Sequence, residues 1–294
     1  MVSGDGVGVE PIVGEPAAVA DLGTERALLV ADVHAGIEVG LRYERGVELD
    51  DRAAQRREHL CRLIDETDAD SVVVLGDLAH RIGAPEGDER AELEALIAAI
   101  TDRVPVTLVE GNHDAGVAAA FADVIETLGP RGAVIGRENG SSRETSDEDD
   151  GPTGGDEQGG GADGGIAVLH GHTRPDPGLL AADVVCMGHE HPQVRLEDAV
   201  GGSRTERAWL RGRLDPDAFL GDGGGDSSDI DATSASVGTD PPELIVFPAF
   251  NERSGGTWVN VPGQSFLAPF LPGALPTGDA YLLDGTRLGD FRQV

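Results

Sequence analysis

Residues 106–114, with the sequence Val-Thr-Leu-Val-Glu-Gly-Asn-His-Asp, contain the pattern that decides the fold. The apolar run predicts a buried strand, and the Ala-rich stretch that starts near Ala115 predicts a helix directly after it. The polar residues between them would then lie beyond the carboxyl end of the strand, where sites form in open α/β sheets. One such turn is also compatible with an ordinary polar loop, so the interpretation depends on whether the pattern recurs.

The same construction, an apolar run followed by a turn with His or Asp, occurs four more times. The apolar runs are 28–31, 72–75, 166–169 and 184–187. The polar residues that follow these runs are Asp32, His34, Asp77, His80, His170, His172, His189 and His191. Seven of the eight histidines lie in the five turns, and only His59 lies elsewhere. Recurrence on this scale favours a shared site over five unrelated polar loops.

The side chains in these turns have the chemistry of metal ligands. Imidazole nitrogens and carboxylate oxygens suit Mn, Fe, Zn, Ni or Co. With Asn112, His113 and Asp114, the set is larger than the roughly four to six ligands that one ion takes. We therefore expect two ions bridged by a carboxylate, an arrangement that clamps the attacking and leaving oxygens of a displacement at phosphorus.

The net charge and the choice of basic residue distinguish the chain from an average protein. The formal net charge is −32, from 54 acidic and 22 basic residues, and every basic residue is Arg. High Asp and Glu content without Lys resembles proteins adapted to molar salt, in which a Debye length of roughly 3 Å screens self-repulsion. We expect salt adaptation rather than ordinary acidity, and the charge therefore says little about partners.

The cysteines and the hydropathy indicate the cellular compartment. Cys61 falls in a predicted helix and Cys186 in a predicted buried strand, so we expect both to be reduced core residues. The chain has no apolar run as long as a membrane span, and it lacks the basic start and apolar segment of a signal peptide. These features predict a cytoplasmic protein that makes no use of a membrane.

The order of the predicted elements indicates an α/β first half and an all-β last third. Strands at 26–31, 71–75 and 106–109 alternate with helices at 50–67 and 88–101, an order typical of parallel strands with right-handed crossovers. Further strands are predicted at 166–169, 184–187, 194–196, 206–210, 244–247, 258–261 and 281–283. Two sheets packed face to face and flanked by helices would accommodate both parts.

The connecting segments have weaker patterns. We expect an edge strand within 12–22, a loop at 36–49 that lies over the site, and a short strand at 133–136. The helix that starts near Ala115 is expected to run to about Leu128.

The domain boundaries follow from composition. One domain over 10–294 is expected, interrupted at 138–165 and 221–242 by Gly-rich acidic inserts with too little apolar content to fold. The helix at 50–67 should begin at a cap formed by Asp50 or Asp51. Its arginines, which are expected to be solvated charges paired with acids, are Arg52, Arg56, Arg57 and Arg62.

Five motifs, in order and spacing, resemble the signature of the calcineurin-like metallophosphoesterases. The motifs are Asp32-x-His34, Gly76-Asp77-x-x-His80, Gly111-Asn112-His113-Asp114, His170-Gly171-His172 and Gly188-His189-x-His191. The second motif, together with segments 247–251 and 255–260, resembles the archaeal group related to the SbcD exonuclease and a bacterial phosphoesterase associated with DNA ligase. The resemblance, which covers about residues 26–192, implies a four-layer α/β/β/α sandwich of two mixed β-sheets with the site at one edge.

The resemblance also implies which residues hold metal. One divalent ion would be bound by Asp32, His34, Asp77 and His191, and the other by Asp77, Asn112, His170 and His189. Asp77 would bridge the two ions. Mn²⁺ is the expected metal, with Fe, Zn, Ni and Co as alternatives. The nucleophile would be a hydroxide bridging the metals, because coordination lowers the pKa of water to around 7.

The remaining motif residues are expected to act on the substrate. His113 would stabilise the phosphoryl oxygens or protonate the leaving oxygen, and Asp114 would orient its imidazole. His80 and Asn112 would contact the substrate phosphate. His172 has no assigned family role and fits a wall of the pocket better than a ligand.

These expectations favour a two-metal phosphoesterase that cleaves phosphodiesters, with DNA as a candidate substrate and DNA-repair proteins as candidate partners. A phosphomonoesterase or a small-nucleotide phosphodiesterase is the first alternative. A non-catalytic metal-bound scaffold in DNA repair is the second, and the intact His113/Asp114 pair argues against it. The substrate, the metal and the oligomeric state stay open at this point.

Overall fold

The computed structural model of the 294-residue chain describes residues 8–136, 164–198, 200–221 and 240–294. The Gly-rich inserts expected at 138–165 and 221–242 lie almost wholly outside the described residues. Their predicted lack of structure, and the expectation of a single domain over 10–294, therefore stay predictions.

The elements are numbered in chain order. Up to residue 128 they are β1 (Gly8–Pro11), β2 (Ala17–Asp21), β3 (Arg26–Val30), α1 (Ile37–Arg45), α2 (Ala53–Thr67), β4 (Ser71–Val74), α3 (Gly87–Thr101), β5 (Val106–Val109), α4 (Ala115–Ala120) and β6 (Glu126–Leu128). After it they are β7 (Ala133–Ile135), β8 (Ile166–Leu169), a 3₁₀ helix (Pro177–Ala181), β9 (Val184–Met187), β10 (Gln193–Glu197), β11 (Ser203–Arg213), α5 (Pro216–Leu220), β12 (Glu243–Val246), β13 (Thr277–Leu282) and β14 (Arg287–Asp290).

The strands form two sheets, and each sheet mixes parallel and antiparallel pairs. The first has six strands in the order β1-β2-β3-β4-β5-β6, in which β3 to β6 are parallel. The second has eight strands in the order β14-β13-β11-β12-β9-β8-β7, with β10 paired to β11. Its central strands β12, β9 and β8 are parallel. This confirms the expected pair of mixed sheets.

Alternation along each strand sends neighbouring side chains to opposite layers. On β3, Leu28 and Val30 face the core shared with α2 and α3, while Leu29 faces the second sheet. On β9, Cys186 lies in the layer between the sheets, and Val185 lies in the outer core. Parallel strands that are buried on both faces read as continuous apolar runs, which is why the sequence pattern was so clear.

The outer layer of the second sheet is built from short pieces. The 3₁₀ helix, α5 and the segment 266–275 cover this face, with Leu179, Phe219 and Phe270 buried against it. The helical layer on this side is therefore much thinner than the layer formed by α2 and α3. These two helical layers, with the two sheets between them, make up the four-layer arrangement.

The predicted loop at 36–49 is wrong, because most of it forms helix α1. Gly36 and Gly46 end this helix in left-handed conformations, with φ of 87° and 63°. The glycine inside it, Gly40, lowers helix propensity and hid the helix from the sequence pattern. Gly40 is needed there because a Cβ at that position would lie 2.4 Å from Cδ2 of His80.

Three other boundaries differ from expectation. The helix after Ala115 ends at Ala120, because 126–128 pairs in parallel with β5 and strand pairing overrides helix propensity. The strand expected within 12–22 is β2, but it is interior rather than an edge strand, because it pairs with both β1 and β3. Residues 12–16 form a turn before it, closed by a hydrogen bond from the Ile12 amide to the Ala17 carbonyl. Residues 258–261 form a turn rather than a strand, and only Trp258 makes a bridge, to Gln193.

Helix α2 begins at Ala53, whose amide donates to the Asp51 carboxylate. Of its arginines, Arg56 was wrongly expected to be solvated, because its side chain is buried between Glu38 and Glu92. Arg52 pairs with Glu252 at the surface, as expected.

Cys61 and Cys186 are both buried and free, which confirms that they are reduced core residues. Among the residues that the structure describes, the helices are too short or too polar to cross a membrane.

Candidate metal centre

The predicted ligands lie in turns at one edge of the two sheets. Parallel register places Val30 beside Val74, so the turns that follow β3 and β4 are neighbours. Leu169 and Met187 are paired in the same way on β8 and β9. The sheets approach closely at Gly188, where a Cβ would lie 2.8 Å from the Leu75 carbonyl oxygen. The fold therefore brings the turns of both sheets to one place.

The backbone of these turns is conformationally strained. Six non-glycine residues in the described part of the chain have positive φ, and five of them are predicted metal ligands. These five are Asp32, His34, Asp77, His189 and His191. Such conformations cost about 1–3 kcal/mol each and persist where the surroundings enforce them. Strain concentrated on the ligands supports a functional role for the cluster.

The first triad consists of Asp32, His34 and His191, whose ligand atoms lie within 4.8 Å of one another. Nε2 of His191 is 3.0 Å from the Asp32 carboxylate and 3.4 Å from Nε2 of His34. The Nδ1 atoms donate to backbone carbonyls, of Ala79 for His34 and of Gly255 for His191. A carbonyl partner on Nδ1 fixes the tautomer and leaves Nε2 for a metal.

The Nε2 atoms of His34 and His191 face each other, and this arrangement shows that the first triad can bind a cation. Two imidazoles whose Nε2 lone pairs face each other repel, so the arrangement requires a proton or a metal ion between them. Nearby, Asp32 is fully buried. A buried carboxylate beside two converging imidazoles is the donor set that a divalent transition metal prefers.

The second triad consists of Asp77, His170 and His189. Nδ1 of His170 donates to the Leu75 carbonyl at 2.8 Å, which again leaves Nε2 for a metal. This Nε2 lies 3.4 Å from Asp77 Oδ1 and 3.2 Å from the amide oxygen of Asn112. The amide oxygen of Asn112 therefore lies beside the second triad, and its role as a ligand stays a prediction.

Asp77 lies between the two triads. Its Oδ1 faces His170, while its Oδ2 lies 3.8 Å from Nε2 of His34 in the first triad. Oδ2 also lies 3.7 Å from Nε2 of His113, and these three residues form a third group of potential ligand atoms. This geometry is what a bridging carboxylate requires, and it also places Nε2 of His113 near the same carboxylate.

The charges of the cluster also suit a cation. Burial opposes ionisation of Asp32 and Asp77, yet neighbouring histidines lower the pKa of both carboxyls. Burial opposes protonation of His170, but the hydrogen bond to Asp77 and the nearby carboxylates raise its pKa to about 9. Burial lowers the pKa of His34 and His189 to about 4. Metal binding to such a set would release the His170 proton.

The structure contradicts the expected contact between the Asp114 carboxylate and the His113 ring. Nδ1 of His113 instead contacts the His80 carbonyl oxygen. The Asp114 carboxylate is fully buried and accepts hydrogen bonds from the amides of Asp77, Leu78, Ala79 and Gly111. Burial and the nearby Asp77 raise its pKa to about 6. Asp114 therefore holds the backbone of the bridging turn rather than the ring.

His80 and His172 stand on opposite sides of the cluster. The His80 ring is 5.5 Å from that of His34, and the His172 ring is 5.3 Å from that of His170. Both have a buried Nδ1 without a protein partner among the described residues. Burial lowers the pKa of each, so both are neutral at pH 7.

Two supporting residues were missed by the sequence analysis. Asn251 is buried, and its amide group donates to the carbonyls of Val33 and His34. Glu190 is fully buried between two ligands and accepts from the amides of Leu267 and Ala268. Both residues connect a turn that carries candidate ligands to a distant segment of the chain. Of the two, only Glu190 could have been suspected from the sequence, because it lies between His189 and His191.

A buried network of ion pairs supports the turn that carries Asp32 and His34 of the first triad. The Arg56 guanidinium binds both Glu38 and Glu92 at 2.8 Å, and Arg253 binds Glu38 at 3.0 Å. Glu92 also accepts from the amide of Gly36, two residues after His34. The network thus links α1, α2 and α3 to the turn that carries the ligands.

Comparison with known proteins agrees with this site. The family model for calcineurin-like phosphoesterases matches residues 25–211, which is more than half of the chain. A comparison with curated protein sequences gives no match.

Three solved structures are similar to the chain. The nuclease MPE of Pseudomonas putida has 17% identity and a TM-score of 0.46, over 94% of this chain and 98% of that chain. The phosphoesterase Yfce of E. coli has 18% identity and a TM-score of 0.31, over 59% and 74%. A predicted phosphoesterase of Streptococcus pneumoniae has 10% identity and a TM-score of 0.28, over 90% and 97%.

The match of the family model spans all five ligand turns. The chain therefore belongs to the calcineurin-like phosphoesterase family and is a hydrolase that acts on ester bonds.

Proposed function

We propose that the chain is a phosphodiesterase that uses two divalent metal ions and acts on nucleic acid. The observation that carries this proposal is the position of Asp77, whose two carboxylate oxygens face different sets of histidines. One ion would be held by Asp32, His34, Asp77 and His191, and the other by Asp77, Asn112, His170 and His189. Mn²⁺ is the proposed metal, since it suits the carboxylate oxygens of Asp32 and Asp77; the imidazole donors also suit Fe, Zn and Ni, which are the alternatives.

The chain's own residues would bind and orient the phosphoryl group. When bound, the two ions would supply an activated water and withdraw charge from the phosphoryl oxygens. His113, held at Nδ1 by the His80 carbonyl, directs Nε2 toward Asp77 and the centre. From this position, protonated His113 would donate to the leaving oxygen. His80 and His172 would contact the substrate through their imidazoles.

The charge around the centre favours a diester over a monoester. A phosphomonoester carries about −1.5 to −2 charges at pH 7, whereas a diester carries one. Beyond the ligands, His80 and His172 are neutral at pH 7, because burial lowers the pKa of each. The two ions would carry most of the positive charge of the centre. The neutral imidazoles around them add less charge than arginines would, so these residues suit the singly charged substrate.

Hydrolysis of small phosphate esters and of DNA tests the proposal. Protein loaded with Mn²⁺ would be assayed on bis(p-nitrophenyl) phosphate, on p-nitrophenyl phosphate, and on single- and double-stranded oligonucleotides. Because the acidic composition suggests salt adaptation, the assays would be repeated up to molar KCl. We expect the diester and DNA to be hydrolysed with higher kcat/KM than the monoester.

The alternatives predict different results. Faster hydrolysis of the monoester would indicate a phosphomonoesterase, and cleavage of mononucleotide diesters without cleavage of DNA would indicate a small-nucleotide phosphodiesterase. Metal binding without turnover of any substrate would indicate a scaffold, whose partners would then be sought among DNA-repair proteins. The matched control is Asp77→Asn, which should be inactive on every substrate.

A further inference from the structure

Helix α3 carries a buried carboxyl, that of Glu89, on its apolar face. The buried residues of α3 recur at the spacing of an amphipathic helix and share one face: Glu89, Leu93, Leu96, Ile97 and Ile100. Glu89 is 0% exposed. Burial of a carboxyl costs free energy unless hydrogen bonds offset it. The position therefore calls for a contact that an apolar side chain cannot make.

One oxygen of Glu89 binds the peptide group that follows His80. Oε1 accepts a hydrogen bond of 2.8 Å from the backbone amide of Arg81. Oε2 is buried and has no hydrogen-bond partner among the described residues. Burial accordingly raises the pKa of the carboxyl. The amide of Arg81 is thus a polar partner that offsets part of the cost of burying Glu89.

The same peptide group contacts His113 at its other end. The carbonyl of His80 and the amide of Arg81 belong to one planar peptide bond. Nδ1 of His113 donates to this carbonyl, while the amide donates to Glu89. A continuous chain of hydrogen bonds therefore runs from the Glu89 carboxyl, through one peptide group, to the His113 imidazole.

Packing restricts the Glu89 side chain at the base of this chain. At Gly36, whose φ is 87°, a Cβ would lie 2.5 Å from Cγ of Glu89. The stem of Glu89 thus occupies the space that a side chain at position 36 would need. On the other side of the peptide group, the amide of His80 donates to the Ala35 carbonyl at 3.0 Å. The carboxyl is therefore held against the amide of Arg81.

We propose that Glu89 is a positioning residue that orients the His113 imidazole through the peptide group between His80 and Arg81. The proposal rests on the phosphodiesterase function proposed above and deepens it. Glu89 would perform the task that the sequence assigned to Asp114, whose carboxylate instead binds the amides of the bridging turn.

The chain of hydrogen bonds determines which nitrogen of His113 handles the proton. With Nδ1 donating to a fixed carbonyl, Nε2 is the nitrogen that gains and releases a proton. Nε2 lies 3.7 Å from Oδ2 of Asp77, on the side of the centre. Hydrogen bonds in series also polarise the group between them, so the bond to Glu89 strengthens the one to His113.

Variants of Glu89 that keep or lose the acceptor test the proposal. Glu89→Gln keeps an oxygen that can accept from Arg81 and should keep kcat close to that of the wild type. Glu89→Met keeps an unbranched side chain but has only a weak acceptor. It should fold, keep its metal content and lower kcat about 10–100-fold with little change in KM. Glu89→Leu repeats the comparison with a second apolar side chain.

Asp88→Ala is the matched control. Asp88 is the neighbouring acid in the first turn of α3, but its side chain is exposed. Its removal changes the charge near the helix N-terminus by the same amount as Glu89→Met. Because Asp88 has no contact with the peptide group that binds His113 among the described residues, kcat should stay unchanged.

A double-mutant cycle shows whether Glu89 acts through His113. The loss in Glu89→Met should be smaller for p-nitrophenyl esters than for esters with poor leaving groups, because p-nitrophenolate leaves without a proton. In a His113→Ala background, Glu89→Met should lower kcat little further, since residues that act through one group are not additive.

A spectroscopic measurement tests the orientation of the ring without turnover. Protein loaded with diamagnetic Zn²⁺ would be studied by ¹⁵N NMR, which distinguishes the two tautomers of a neutral imidazole. In the wild type and in Glu89→Gln, His113 should be the Nδ1–H tautomer. In Glu89→Met, the hold on the carbonyl is lost and the two tautomers should mix.

The outcomes separate this proposal from the proposed function. It is overturned if Glu89→Met leaves the His113 tautomer and the leaving-group dependence unchanged, or if its loss adds in full to that of His113→Ala. Loss of metal from Glu89→Met would also overturn it, because Glu89 would then support a ligand turn. An equal loss of activity in Glu89→Gln would have the same result. If the tautomer responds as expected but the wild type hydrolyses no phosphodiester, the positioning role stands and the proposed function fails.

Discussion

The two triads of the centre are built from similar side chains but are supported differently. In the second triad, His170 is fully buried and is held by the carbonyl of Leu75 at the end of a central strand. In the first triad, His191 is held by the carbonyl of Gly255, an exposed residue of a loop. His170 is therefore held by the edge of a sheet, whereas His191 in the first triad depends on a loop from the last part of the chain.

This difference predicts unequal metal affinity in the two halves. Ligands fixed by a rigid sheet lose little conformational freedom when they bind a metal, whereas ligands held by loops lose more. We expect the metal in the second triad to bind more tightly and to exchange more slowly. Replacing a supporting residue of the first triad should accordingly weaken one ion and leave the other in place.

The largest effect is expected for Asp77→Asn, because Asp77 belongs to both halves. A supporting residue that holds a metal ligand is typically worth 10–100-fold in metal affinity or activity, so a ligand shared by two ions should cost more than about 100-fold. Elemental analysis should show loss of both metals. If this variant keeps two tightly bound ions, Asp77 is not the bridge.

The next effect distinguishes His113 from the ligand histidines. His113→Ala should keep both metals and lower kcat by about 10²–10⁴-fold with little change in KM, since a proton is needed only as the leaving oxygen develops charge. The loss should be smaller for a p-nitrophenyl ester, because p-nitrophenolate leaves without a proton. Metal content and kcat on esters with different leaving groups would measure both effects.

His189→Ala is the matched control, because it removes a ligand of the second triad. It should lose one metal, with activity falling as a consequence, and excess Mn²⁺ should restore part of the activity. His113 belongs to a group of possible ligands with His34 and Asp77. If His113→Ala also loses one ion and is rescued by Mn²⁺, then His113 is a ligand and His80 becomes the candidate acid.

The candidate ligands could be selected from the sequence because each lies within a few residues of a strand end. Apolar runs predicted the strands, and His or Asp directly after these runs predicted the site. The roles of residues that act through tertiary contacts were not predictable. Asp114 was expected to orient the imidazole of the neighbouring His113. Its carboxylate instead accepts hydrogen bonds from the amides of Asp77 and Leu78, which are 37 and 36 residues away.

Helix α1 was hidden for a similar reason. Gly40 is unfavourable for a helix, and only the packing of His80 against it explains why it is there. Arg56 looked like the solvated arginines around it until Glu38 and Glu92 were brought to it by other helices. Local patterns report local structure, and these residues depend on partners that the sequence does not identify.

The buried network behind the first triad gives the next prediction. Arg56→Ala should lower the free energy of unfolding by about 3–5 kcal/mol, because two buried carboxylates lose their shared partner. Arg62→Ala on the same helix is the control, since Arg62 pairs with Glu15 and Glu66 at the surface and should change stability by about 0–1 kcal/mol. Denaturant unfolding at fixed salt measures both, and equal effects would contradict the structural role of the network.

The smallest effect, and the most specific to one half of the centre, is expected for Asn251→Ala. Its amide holds the carbonyls of Val33 and His34, which lie 218 and 217 residues away. Without it, the turn of the first triad is free to move, and the affinity of one metal should fall about 10–100-fold. The second ion should be retained, because no contact of Asn251 reaches the second triad among the described residues.

Metal titration by calorimetry would resolve the two binding steps. Asn260→Ala is the matched control, because Asn260 also donates to a backbone carbonyl, that of Arg195, but lies away from the ligand turns. It should leave both steps unchanged. If Asn251→Ala weakens both ions equally, the two halves are coupled through Asp77 more strongly than their separate supports suggest. If it weakens neither, the strained turn that carries Asp32 and His34 is held by the sheets alone, and the proposed difference between the halves is wrong.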